Sequence, residues 1–201
     1  MAILINSEPY AVMMATPADM EDFAVGFTLS EGLAAHASHI NNVLVMPQAE
    51  GFSVDISIAE NKLIRERMIL RSMEGRVGCG LCGIAEMEDA IRMPDRKLKP
   101  LQISADIYAA AFDALPGFQP MNAINRTVHA AAWCAVDGKI NLAREDVGRH
   151  NALDKLIGAM ARSNIRPDGF VLMSSRCSFE LCRNVRKLAL RLWPPFLRLR
   201  P

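Results

Sequence analysis

Gly75, Gly78, Gly80 and Gly83 fall within nine positions of one another. That much backbone freedom is incompatible with a helix or strand interior, because each glycine gives up more conformational entropy on folding than any other residue. The chain is therefore expected to organise on either side of this loop. The expected division is an N-terminal α+β unit over 1–74, a loop and solvated connection over 75–100, a second unit over 101–181, and an atypical tail over 182–201. The tail carries six basic residues from Arg183 onward and no acid, and Trp193-Pro194-Pro195 stops any helix in it.

In the first unit, Thr16 is the expected N-cap of a helix, with Pro17 at its first position and Asp19 in its first turn. Met20, Phe23, Ala24 and Phe27 then share one helical face, and Gly32 is the expected stop. Ile40 to Met46 and the alternating Phe52 to Ile58 predict two strands around a turn over Pro47 to Gly51. Lys62 to Ser72 is rich in long side chains and predicts a helix, as does Ile84 to Met93. In the second unit a helix over Ala105 to Leu115 precedes a hairpin. Its strands are expected over Val128 to Val136 and Lys139 to Ala143, around Asp137-Gly138. A helix from Asn151 to Ala161, a strand from Phe170 to Met173 and a helix from Ser178 follow. The alternation predicts a layered βαβ-type sheet.

Composition excludes several functions. Twenty-three Lys and Arg against 22 Asp and Glu leave a net charge of +1, so there is no bulk electrostatic case for nucleic acid. No apolar run is long enough to span a membrane, and Met1 to Tyr10 does not read as a secretory signal. Five cysteines, an odd number at low density, point to the cytoplasm, where thiols are inert, metal-bound or catalytic.

The chemistry concentrates in two stretches. Cys79-Gly80-Leu81-Cys82 is half of a zinc site, but no second close ligand pair of metal type accompanies it, and no metal is expected. A thioredoxin-like pair would follow a buried strand, whereas Arg71 to Arg76 is polar and turn-like. Glycines flanking Cys79 leave its sulfur open to two partners in turn, and Arg76 favours the thiolate, which suits a persulfide relay. Redox chemistry and sulfur carriage both remain open from the residues alone.

The second stretch runs from Arg144 to Lys155. Gly148, Arg149, His150 and Asn151 enter a helix N-terminus, an arrangement suited to phosphate, while Asn151 as a plain helix cap is the competing reading. Ser174-Ser175-Arg176 again follows a strand and opens a helix, with a run of capping serines as its competing reading. His129-Ala130-Ala131 places alanine where a zinc deaminase needs glutamate, so deamination is disfavoured.

Five collinear segments resemble the formate dehydrogenase accessory sulfurtransferase family, FdhD/NarQ. They are Met13 to Gly32, Cys79 to Gly83, His129 to Ala132, Glu145 to Lys155 and Ser174 to Glu180. The resemblance implies a small α+β domain followed by an α/β domain similar to cytidine deaminases. It also implies a sulfur carrier that takes persulfide sulfur from a cysteine desulfurase. The sulfur passes to molybdenum in bis-molybdopterin guanine dinucleotide, bound as a substrate, before that cofactor enters formate dehydrogenase. Cys79 would bear the persulfide and Cys82 would assist relay or release. The expected cofactor-binding residues are His129, Glu145, Asp146, Gly148, Arg149, His150, Asn151, Ser174 and Arg176. Family chains are expected to begin before Ile3 and to end differently from residues 182–201. A chain shortened at both ends would expose apolar surface, which favours a homodimer. A cofactor-binding chaperone without sulfur transfer, or an inactive shortened member, are the alternative readings.

Overall fold

The structure, a computed structural model, describes residues 1–68, 101–165, 168–176, 181–182 and 184–185. The C-x-x-C loop, the expected helix over 84–93, the start of the helix at Ser178 and most of the basic tail lie outside these residues.

The fold is mixed α+β with two sheets. The first has the order β2-β1-β4-β3, built from β1 (Ala2–Ile5), β2 (Glu8–Val12), β3 (Ile40–Gln48) and β4 (Gly51–Ile58). β1 runs parallel to β4 and antiparallel to β2. The β1–β2 hairpin was not anticipated from the sequence. Its two-residue turn, Asn6-Ser7, has both φ angles positive (50 and 67) without any glycine, the backbone that matches strand twist in tight hairpins. The Asn6 side chain compensates by bonding both the N–H (2.7 Å) and the carbonyl (3.0 Å) of Ile58.

Helix α1 (Met20–Glu31) covers this sheet with Phe23, Ala24 and Phe27, which pack on Ile3, Ile5, Val54 and Ile56. It ends at Gly32 in the left-handed region (φ 75), where the Gly32 and Leu33 N–H groups close onto the Leu29 and Thr28 carbonyls. Its start differs from expectation. Asp19, itself left-handed (φ 52) and making no side-chain cap, is the N-cap in place of Thr16. The helix expected from Lys62 is likewise absent through Met68. Lys62 and Leu63 donate to the Ala59 carbonyl, but Ile64 donates to Leu33, so only a single 3-10 turn (Arg65–Arg67) forms.

The second sheet has the order β6-β5-β7, with β5 (His129–Cys134) central and both β6 (Ile140–Asp146) and β7 (Phe170–Met173) antiparallel to it. Helix α4 (Arg149–Arg162) links β6 to β7, giving a βαβ unit split by β5. Strict alternation sends Ala131, Trp133, Val171 and Met173 toward Leu153, Leu156, Ile157 and Met160 of α4. Ala130, Ala132, Cys134, Phe170 and Leu172 face the opposite way. They meet Ala111 of α2 (Ala105–Ala114) and Leu115 in a separate cluster. Leu181 and Val185, both helical, complete the α4 side. β6 runs three residues past the expected Ala143, which puts Glu145 and Asp146 in the sheet rather than in a loop.

α1 and α4 pack against each other between the two sheets, and glycine sets how closely. A Cβ on Gly26 would lie 1.7 Å from the Asp154 carbonyl oxygen, and one on Gly158 would lie 1.8 Å from that of Asp22. Val25 and Leu29, on the α1 face turned away from its own sheet, join the α4 core. At one end of the crossing buried Asp22 accepts from Arg144 of β6 (2.9 and 2.7 Å) and from Arg162 of α4 (2.5 Å).

Candidate functional site

The carboxyl ends of β6 and β7 meet the N-terminus of α4 at one edge of the second sheet. In open α/β sheets this is where ligands collect, because strand ends leave a crevice and helix N–H groups point into it. The structure brings nine expected residues there. β6 supplies Glu145 and Asp146; the following turn supplies Gly148; α4 supplies Arg149, His150 and Asn151. His129 begins β5 directly opposite Asp146 in register. Ser174 exchanges two bonds with Ala130, its Oγ accepting the N–H (2.8 Å) and its own N–H donating to the carbonyl (3.0 Å). Arg176, exposed, follows.

These residues divide by direction. Asp146 is fully buried, and its carboxylate accepts from the N–H of Thr16 (2.9 Å), the N–H of Gly148 (2.8 Å) and the Asn151 amide (3.0 Å). It also pairs at 2.6 Å with the Lys155 ammonium, whose side chain is equally inaccessible. Lys155 spends its remaining protons on the carbonyls of Thr16 (3.0 Å) and Glu145 (3.2 Å). An ion pair removed from water in this way persists only when every donor and acceptor is matched, and here they are. Glu145 is also inward. Its two oxygens accept the N–H groups of Met121 (2.8 Å) and Asn122 (2.9 Å), capping the short helix α3 (Pro120–Asn125) from another element.

The strap from Met14 to Thr16 closes this set. The Asn151 amide donates to the Met14 carbonyl (2.8 Å), and the Val147 N–H donates to Thr16 Oγ1 (2.9 Å). Asn151 is therefore no helix cap. Gly148 is the N-cap, without a side-chain bond, and Asn151 sits inside the first turn, tying α4 to the strap. Sequence reasoning missed Thr16 and Lys155 as parts of the site. The available signal for Lys155 was a charge directly beside the apolar stripe of Leu153, Leu156 and Ile157.

Facing outward are Arg149 and His129, both half-buried, with exposed Ser174 and Arg176. Burial lowers the His129 pKa, and the nearby Arg149 charge lowers it further. The imidazole is thus neutral at pH 7 and able to donate or accept. His150 is buried. Burial pushes the Cys134 thiol up to about 12, which leaves it protonated and unreactive. Cys79 and Cys82 lie outside the described residues. Among the described residues no group of three His, Cys, Asp or Glu side chains could hold a metal ion, and no helix is long and apolar enough to cross a membrane.

The FdhD/NarQ family model matches residues 1–192, past the point near residue 181 where the motif resemblance ends. The sulfur carrier protein FdhD of Xanthomonas euvesicatoria pv. vesicatoria is 47% identical over 181 residues, 90% of this chain and 64% of that protein. The sulfur carrier protein FdhD of Cupriavidus necator is 43% identical over 181 residues, 90% of this chain and 63% of that one. The chain thus spans a little under two thirds of the length of these relatives. A crystal structure of a putative formate dehydrogenase accessory protein from Desulfotalea psychrophila has a similar fold. Its TM-score is 0.70 at 19% identity, over 95% of this chain and 71% of that one.

Proposed function

The chain belongs to the FdhD/NarQ family, and from that premise we propose that it carries sulfur on the loop at Cys79. The family match, which spans Cys79-Gly80-Leu81-Cys82, carries this reading. Relatives at 43 to 47% identity are named sulfur carrier proteins, and Gly78 and Gly80 on either side of Cys79 bring no side chain of their own against its sulfur. The donor is a cysteine desulfurase. The Cys79 thiolate attacks the terminal sulfur of the desulfurase persulfide, the donor leaves as a thiolate, and Cys79 becomes the persulfide. Attack by Cys82 on the inner sulfur of that persulfide forms a Cys79–Cys82 disulfide and releases sulfide, so the electrons balance without an outside reductant. The acceptor is the molybdenum of bis-molybdopterin guanine dinucleotide, bound as a substrate, and the client is formate dehydrogenase. The setting is the cytoplasm, where thiols stay reduced.

The edge at the α4 N-terminus is the proposed cofactor-binding surface. Arg149, His129, Ser174 and Arg176 meet the ligand, with Arg149 offering a fork of donors suited to a diphosphate. Gly148, Glu145, Asp146, His150 and Asn151 hold that edge in shape from behind.

Incubating the full chain with a cysteine desulfurase and L-cysteine should add the mass of one sulfur atom in a cyanide-labile form. Cys79→Ala should abolish the adduct, and Cys82→Ala should leave loading intact while blocking release. An undiminished adduct on Cys79→Ala would overturn sulfur carriage at this loop. Guanosine diphosphate binding that persists without any adduct would favour the chaperone reading.

A further inference from the structure

Between the end of β6 and the start of α4 the chain has only Val147 and Gly148. This turn decides where Arg149 and the first N–H groups of α4 stand relative to the sheet. It has little stiffness of its own, because one of its residues is glycine and α4 begins there without a side-chain cap. Val147 is 45% exposed, so packing alone does not fix it.

Two bonds hold the turn instead. Within the segment, the Gly148 N–H donates to the Asp146 carboxylate (2.8 Å). From outside it, the Val147 N–H donates to Thr16 Oγ1 (2.9 Å), the hydroxyl of a residue 131 positions earlier. Met14 on the same strap acts one step removed. Its carbonyl accepts from the Asn151 amide (2.8 Å), and Gly148 lies so close to that amide that a Cβ there would be 3.0 Å from its nitrogen.

The strap can give this hold because it is itself restrained. Thr16 precedes Pro17, which confines it to extended backbone. Its N–H donates to Asp146 (2.9 Å), and its carbonyl accepts from the Ala18 N–H (2.8 Å) and from Lys155 (3.0 Å). The backbone of Thr16 thus serves the buried Asp146–Lys155 pair, while its hydroxyl serves the turn. The two duties can be separated, since valine keeps the shape and the backbone bonds and loses the hydroxyl alone.

We propose that Thr16 is a positioning residue for anion binding at the α4 N-terminus: its hydroxyl sets the Val147–Gly148 turn so that Arg149 and the helix N–H groups converge on a diphosphate. The proposal rests on the cofactor-binding reading of this edge and adds to it a residue of the first unit, acting through the turn. Donors already in place bind an anion more tightly than donors that must be ordered on binding. A guanidinium fork gains most from being set in direction.

Guanosine diphosphate titrated into the full chain tests this. Thr16→Val should weaken binding about tenfold while the urea midpoint stays close to wild type, because water replaces the hydroxyl at an exposed turn. Thr16→Ser should restore the affinity. In hydrogen exchange the Val147 amide should be protected in the wild type and in Thr16→Ser and lose protection in Thr16→Val. Pro17→Gly, at an exposed position, keeps every bond of the strap but loosens the segment that presents the hydroxyl. It should weaken binding about threefold, and it decides the matter if Thr16→Val fails to fold. Unchanged affinity in Thr16→Val and Pro17→Gly beside a wild type that binds would overturn the positioning role alone, as would equal losses in Thr16→Val and Thr16→Ser. A wild type that binds no guanosine diphosphate would overturn the cofactor-binding surface together with it.

Discussion

Two regions join the halves of the molecule, and they do so by opposite means. At the crossing of α1 and α4, Gly26 and Gly158 bring backbone against backbone, and contact depends on side chains being absent. At the end of β6, buried Asp146, Lys155 and Asn151 meet half-buried Thr16 through matched polar groups, and contact depends on every one of them being present. The first joint is indifferent to chemistry and intolerant of volume. The second tolerates little change in chemistry, because a buried charge without its partner costs far more than the pair contributes.

The largest expected effect lies at the first joint. Gly158→Val must push α1 and α4 apart, since even its Cβ would lie 1.8 Å from the Asp22 carbonyl oxygen. A loss of about 4 kcal/mol or more is expected, beyond the ordinary cost of overpacking, and should appear as insoluble protein or a collapsed urea midpoint. Gly158→Ala should lose less while remaining clearly destabilised. Two variants with wild-type midpoints would show that the helices do not meet as described.

The second joint should respond to which partner is removed. Lys155→Met leaves the Asp146 carboxylate buried and uncompensated, with an expected loss of about 3–5 kcal/mol. Lys155→Met combined with Asp146→Asn removes both charges and should recover part of that loss in a double-mutant cycle. Arg149→Ala is the contrast. The same motif places it on the outward side, so stability should stay within about 0.5 kcal/mol while guanosine diphosphate affinity falls. An Arg149→Ala protein as unstable as Lys155→Met would erase the division between inward and outward residues.

The sequence made the elements more legible than their uses. The Met20, Phe23, Ala24 and Phe27 stripe identified α1, because a single apolar face on a 3.6-residue period is visible along the chain. Its start was not legible, because the Thr16 hydroxyl is taken by Val147, 131 residues away. Asn6-Ser7 hid a hairpin by adopting two positive φ angles without glycine. Glu145 to Lys155 stood out as dense in polar groups, yet spacing alone does not say that Asp146 turns inward to Lys155 while Arg149 turns out. That sorting is made by the strap of Met14 to Thr16, which a local pattern does not contain. Gly26 and Gly158 carried no signal of their own, since the need for a missing side chain arises only when the two helices meet.

The smallest effect separates the outward group from its background. Burial and the Arg149 charge depress the His129 pKa below its ordinary value of 6.5, so the folded chain binds less proton here than the unfolded chain. Stability must therefore fall as pH drops below 6.5 toward the lowered folded value, and must level off above 6.5. His129→Gln removes that contribution, and the difference in urea midpoint between wild type and variant should narrow across this window. Arg149→Ala should shift the wild-type profile in the same sense but by less, because burial is the larger of the two causes. A His129→Gln profile parallel to wild type from pH 7 to pH 5 would mean that the imidazole titrates as it does in water, and that this edge is wetter than its packing indicates.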